Sequence, residues 1–218
     1  MNVKQKNLIN SLKLQPLIVV IRLESNFFDI PYKRDKLLLN IKKLASYGIK
    51  HIEIGWDPNP GWVHLIYEIK NHFKLINFGI ASITSKKSLD SILSLNINYS
   101  MSPFFNKEIH LKAIEYNQLV IPGISNIEDF KEALNLGYKI IKVFPASKLG
   151  INFLKKLKNF KENDIFFIGA GGIKTENLNS MLNNGYNALA IGKELKNQTP
   201  NQSLEIWLKT FQGYGSKD

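Results

Sequence analysis

The sequence predicts a parallel α/β fold, a (β/α)8 TIM barrel with an extra N-terminal helix, and three observations carry that expectation. Eight short β-branched or apolar runs alternate with longer helix-periodic stretches, the pattern of βαβ units on a parallel sheet. The chain has 218 residues, a length at which α/β barrels form as one domain, so residues 1–218 are read as a single barrel. A doubly wound open sheet is the rival. It favours a glycine-rich dinucleotide loop after the first strand, and Arg22–Leu23–Glu24–Ser25 contains no glycine.

In chain order, residues 1–13 read as a helix that precedes the first strand and closes the barrel bottom. Strands are expected at 17–22, 51–55, 75–80, 99–102, 119–122, 140–144, 165–169 and 188–192. Amphipathic helices fall between them, among them 33–47, 107–116, 127–136 and 175–183, and a final stretch at 201–211 follows the eighth strand. Gly48, Gly137 and Gly185 each end an apolar periodic run, as helix stops do. Ser88, Asn126 and Thr175 stand where N-caps are expected, and Glu128 and Asp129 place acid in the first turn after Asn126. No Pro-, Gly- or Ser-rich linker divides the chain.

Composition narrows the chemistry. With no cysteine, a disulfide framework, a thiolate metal site and a cysteine nucleophile are excluded. The longest apolar run, Leu17–Ile21, is far short of the roughly 18 residues that span a bilayer and of the about 7–15 that form a signal-peptide core. A cytoplasmic protein without a membrane partner is expected. The net charge of +11 invites a nucleic-acid reading, but the lysines are scattered and no Cys/His finger, RNA-binding aromatic consensus or contiguous basic arm is present. Attraction of a small anionic substrate is the more economical use of the charge.

In a barrel, chemistry belongs at the C-terminal strand ends. Strand parity turns Ile140, Lys142 and Phe144 inward and Ile141 and Val143 toward the helices. A lysine inside a barrel is unfavourable unless paired or neutral, and desolvation that neutralises it makes a nucleophile able to form a Schiff base with a ketone. The competing reading is a lysine that snorkels to water at the strand edge. In His51–Ile52–Glu53–Ile54–Gly55, Glu53 has inward parity and could pair with Lys142 and move protons, or merely neutralise it. Gly169–Ala170–Gly171–Gly172 ends the seventh strand, and Gly192–Lys193 ends the eighth. These are the places where barrels bind phosphate through backbone N–H groups, though a glycine pair there can also be only a tight turn.

Together these segments resemble the pyruvate-forming class I aldolases of 2-keto-3-deoxy-6-phosphogluconate and 4-hydroxy-2-oxoglutarate, from about residue 17 to residue 195. The most specific piece is Ile141–Lys142–Val143–Phe144–Pro145–Ala146, similar to the family's K-x-F-P-A. Ile52–Glu53–Ile54, Met101–Ser102–Pro103, Val120–Ile121–Pro122–Gly123–Ile124–Ser125 and Gly171–Gly172–Ile173 support it in order and position. The resemblance implies that Lys142 forms the imine and that Glu53 is the general acid/base. It implies that Pro103 and Phe144 line the pyruvate pocket, that Ser82 helps hold the substrate carboxylate or hydroxyl, and that Gly171 and Gly172 take the phosphate. It also implies a homotrimer acting on a small keto acid or sugar phosphate, with no metal and no organic cofactor.

Departures qualify the substrate. Gly55–Trp56–Asp57–Pro58 stands where many members carry a threonine and later an arginine for the substrate carboxylate, and an inward Asp57 would repel that group. Arg22 could supply the cation instead, unless it pairs with Glu24 or Asp57. Lys193 replaces a small phosphate-binding serine beside Gly192, and Ser147–Lys148–Leu149 and Phe104–Phe105 could narrow the pocket. Two other readings compete: a different phosphate-binding barrel enzyme, and a non-catalytic relative that binds a keto acid or sugar phosphate.

Overall fold

The computed structural model describes residues 2–160, 164–192 and 204–209. Its sheet is parallel throughout, in the order β5-β4-β3-β2-β1-β9-β8-β7-β6. The strands are β1 (Leu17–Ile21), β2 (His51–Gly55), β3 (Asn77–Ala81), β4 (Tyr99–Met101), β5 (Val120–Ile121), β6 (Gly123–Ile124), β7 (Ile140–Val143), β8 (Phe166–Ala170) and β9 (Ala188–Ile191). The expected fifth strand is split at Pro122, which has no N–H to give to a ladder. Its first half pairs with β4 and its second half with β7, so one short segment joins the two ends of the sheet into a barrel. The (β/α)8 expectation holds, with nine strand segments filling eight positions.

The helices are α1 (Val3–Leu14), α2 (Tyr32–Ser46), α3 (Trp62–His72), α4 (Lys86–Leu93), α5 (Lys107–Glu115), α6 (Ile127–Asn135), α7 (Ala146–Lys158) and α8 (Leu178–Asn183). Residues 204–209, the described part of the expected last helix, are helical too, with Leu204 and Trp207 buried. Gly48, Gly137 and Gly185 end α2, α6 and α8 with φ of 84°, 81° and 108°, the left-handed conformation that stops a helix without a Cβ penalty.

Local details depart from expectation for physical reasons. Residues 73–76 close a turn, Ile76 N–H donating to Phe73 O at 3.0 Å, which leaves Leu75 96% exposed and starts β3 at Asn77. Ser88 is not the cap of α4; Ser85 is. Ser85 Oγ accepts from Ser88 N–H at 3.2 Å and Ser88 Oγ accepts from Ser85 N–H at 2.9 Å, a reciprocal capping box in which serine takes the place usually held by glutamate. Thr175 opens a 3-10 turn, Thr175–Asn177, ahead of α8 rather than capping it. Asn126 caps α6 as expected, its Oδ1 accepting from Asp129 N–H at 2.8 Å.

Helix α1 closes the N-terminal end of the barrel. Its Leu8 and Leu12 are buried, and Gln5 Oε1 accepts from Lys139 N–H at 2.7 Å just before β7. At the other end of the helix, Gln15 Oε1 accepts from Lys50 N–H at 2.7 Å just before β2.

Residues paired across parallel strands point to the same face. One inward row runs Val20, Glu53, Gly79, Tyr99, and another runs Gly123, Lys142, Ile168, Ala188. Gly123, on β6, packs against the chain leaving β4 at a tight corner: a Cβ there would lie 2.5 Å from the Pro103 carbonyl carbon and from Ser102 O. Backbone cannot rotate away, so Gly123→Ala is expected to destabilise the fold by about 1–3 kcal/mol. The urea midpoint measures this; an unchanged midpoint would mean that the corner is slack.

Candidate active site

The two inward rows bring Glu53 and Lys142 into one cavity of about 480 Å³ at the C-terminal ends of the strands. Glu53 is 2% and Lys142 7% exposed, so Lys142 does not snorkel to water. Small side chains at Ala81, Ala170 and Ala190 leave the space that the cavity occupies. Lys142 Nζ lies 5.3 Å from the centre of the Phe144 ring, two residues further along the same inward face. Pro103 and Phe144 both line the cavity.

Burial pushes the Glu53 carboxyl above the usual carboxylate range, while Lys142 and Arg22 pull it back. Burial pushes the Lys142 amine down from the usual lysine range; Glu53 opposes that shift and Arg22 adds to it. The two groups therefore approach each other in proton affinity. They form no ion pair within 4.0 Å, so the direct pairing expected from parity is not made. They line the same cavity without that contact.

One cation lining the cavity is Arg22, whose Nη1 donates to Ser82 Oγ at 3.1 Å. Ser82 sits at φ 69°, a conformation that few non-glycine residues adopt and that clusters at functional sites. The expected competitors for Arg22 are engaged elsewhere. Glu24 pairs with Lys33. Asp57 Oδ1 accepts from Asn59 N–H at 2.9 Å in the loop after β2 and does not line the cavity. The feared repulsion of a substrate carboxylate by Asp57 is thereby removed. Buried Trp62 braces that loop by donating Nε1–H to Gly55 O at 3.0 Å.

Gly171 and Gly172 follow β8 with φ of 88° and 72°. A Cβ on Gly172 would meet Ser147 Oγ at 2.1 Å; glycine is needed here both for the turn and for the close approach. Gly192 lines the same end of the cavity, as do Ser147 and Lys148 from the first turn after Pro145. Lys193 lies outside the described residues. Sequence reasoning marked Ser147 and Lys148 only as bulk; their place in the loop after a barrel strand was the signal that they face the site. Phe104 and Phe105 do not narrow the cavity. Phe104 is half exposed, and Phe105 stacks on His110 with centroids 5.1 Å apart. Among the described residues no three His, Asp or Glu side chains gather as metal ligands.

A family model described as KDPG and KHG aldolase matches residues 8–205. The chain belongs to that aldolase family. The 2-dehydro-3-deoxy-6-phosphogalactonate aldolase of Escherichia coli K12 is 24% identical over 163 residues, 74% of this chain and 78% of that protein. A solved native KDPGal structure superposes with a TM-score of 0.76 at 21% identity, covering 93% of this chain and 97% of the other. A KDPG aldolase from Legionella pneumophila, solved with pyruvate captured as a covalent carbinolamine, gives a TM-score of 0.73 at 20% identity over 92% and 95% of the two chains. The aldolase family places the protein among lyases, and no described helix is long and apolar enough to cross a membrane.

Proposed function

We propose that this aldolase cleaves 2-keto-3-deoxy-6-phosphogluconate to pyruvate and glyceraldehyde 3-phosphate through a Schiff base on Lys142, with 4-hydroxy-2-oxoglutarate as a second substrate. The observation that carries the reading is the buried amine of Lys142 facing the buried carboxyl of Glu53 across one cavity. Neutral Lys142 attacks the C2 ketone, and loss of water from the carbinolamine leaves a protonated imine. Glu53 takes the C4 hydroxyl proton, the C3–C4 bonding pair moves toward the iminium nitrogen to make an enamine, and the aldehyde departs. Glu53 then returns the proton to C3, and water hydrolyses the imine to free pyruvate and the amine. A pyruvate carbinolamine like the one captured in the Legionella relative is the last covalent intermediate of such a route, formed when water adds to the imine.

Arg22 and Ser82 are assigned to the substrate carboxylate, Pro103 and Phe144 to the walls around the pyruvyl carbons. Gly171, Gly172 and Gly192 are assigned to the phosphate, with Lys148, which lines the same cavity, as a cation for it and Lys193 as another from its sequence position. Pyruvate release, followed with a coupled assay on the phosphorylated six-carbon acid and on 4-hydroxy-2-oxoglutarate, tests the reading. No pyruvate from either substrate removes it. Lys148→Ala is expected to lower kcat/KM for the phosphorylated acid by about 10-fold or more, the loss of one charge-assisted contact, and to leave the unphosphorylated substrate nearly unchanged. An equal loss on both would take the phosphate away from Lys148.

A further inference from the structure

Tyr99 opens β4, points into the barrel and has no exposed surface. It shares one register row with Gly79 on β3 and Glu53 on β2. Gly79 carries no side chain, and the Tyr99 ring lies over it: a Cβ there would stand 2.5 Å from the ring's Cζ and 2.9 Å from Oη. The phenol therefore leans across β3 toward the strand that carries Glu53. Tyr99 Oη and Glu53 Oε1 are both buried and neither has a hydrogen-bond partner. One is a donor and the other an acceptor. Leaving both unsatisfied in an apolar interior is unfavourable, and a phenylalanine would fill the same space without adding a buried hydroxyl. Burial first, then the nearby carboxylate, holds the Tyr99 hydroxyl protonated, so it remains a donor at every working pH.

We propose that Tyr99 is a positioning residue for Glu53, its O–H donating to the Glu53 carboxylate across one water. This rests on the reading of Glu53 as the proton shuttle. A hydrogen bond given to the charged carboxylate favours that form and offsets part of the burial effect. It also holds the carboxylate in one orientation toward the carbon that exchanges its proton. The other groups around Glu53 are Lys142 from β7 and Arg22 from the end of β1, with His51 two residues earlier on β2. Burial holds His51 near a pKa of about 4, and its Nε2 is 3.2 Å from Ser11 Oγ, so it stays neutral and bonded to α1.

The test is exchange of the pyruvate methyl protons with deuterated water, which requires the Lys142 imine and then proton removal by Glu53. It is compared across pH with borohydride trapping of pyruvate on Lys142, which requires the imine alone. In Tyr99→Phe the acid limb of methyl exchange is expected to move up by about one pH unit, with roughly ten-fold slower exchange below it, while the trapping profile moves much less. Tyr99→Leu also lacks the hydroxyl and moves the limb in the same direction, which guards against a packing artefact of either variant. A limb that stays in place or moves down overturns the inference. Glu53→Gln separates the two failures. Undiminished exchange in that variant removes the shuttle reading itself, and lost exchange there beside an unmoved limb in Tyr99→Phe removes only the part assigned to Tyr99.

Discussion

Borohydride added with pyruvate is expected to fix one reduced pyruvyl group on Lys142, and Lys142→Ala is expected to lose that adduct together with at least about 10³-fold of turnover. Mass spectrometry of the digested protein locates the adduct; a mass gain on other lysines, with Lys142 unmodified, sinks the Schiff-base proposal. Selectivity follows from burial. An ordinary lysine in water is an ammonium ion at neutral pH, whereas the enclosed amine of Lys142 releases its proton below the usual lysine range and so presents a lone pair. The sign of the pH effect is set by that shift: trapping accelerates as pH rises and levels off once Lys142 is neutral, at a lower pH than an exposed lysine would require. Lys142→Arg is the matching control: it keeps a long basic side chain but stays charged and cannot form an imine.

Glu53→Gln is expected to slow turnover by about 10²–10⁴-fold, the usual contribution of a positioned acid/base group. Glutamine preserves the shape of the side chain and removes only its proton traffic. Trapping on Lys142 should persist, though slower, because imine formation also sheds a hydroxyl as water. Unchanged turnover would exclude Glu53 as the shuttle. The acid side of the wild-type profile is expected above the ordinary carboxylate range, since burial raises the Glu53 carboxyl and base function is lost as pH falls through its pKa.

Lys142 and Glu53 were legible from local information, because alternation along a strand decides the inward face once the strand is recognised. Glycine stops were legible for the same reason: Gly48, Gly137 and Gly185 act within one helix turn. The partner of Arg22 was not, since it depends on the left-handed backbone of Ser82, which is 60 residues away in sequence. The direction of Asp57 was not legible either, because its turn toward Asn59 is a loop conformation with no periodic signature. Ser88 was mistaken for a cap because two serines three apart satisfy each other, and the pattern does not say which comes first. The pairing of Tyr99 with the space over Gly79 joins residues from separate strands, and only the register reveals it.

The split at Pro122 has its meaning in the closed sheet, where the two halves pair with different neighbours. The floor made by α1 has a comparable consequence. Two glutamines at either end of a single helix clasp strand beginnings on different sides of the cylinder, while every group assigned to chemistry sits at the opposite pole. Foundation and workshop are thus separate territories, and alterations at the base can be screened by melting without disturbing what happens at the rim.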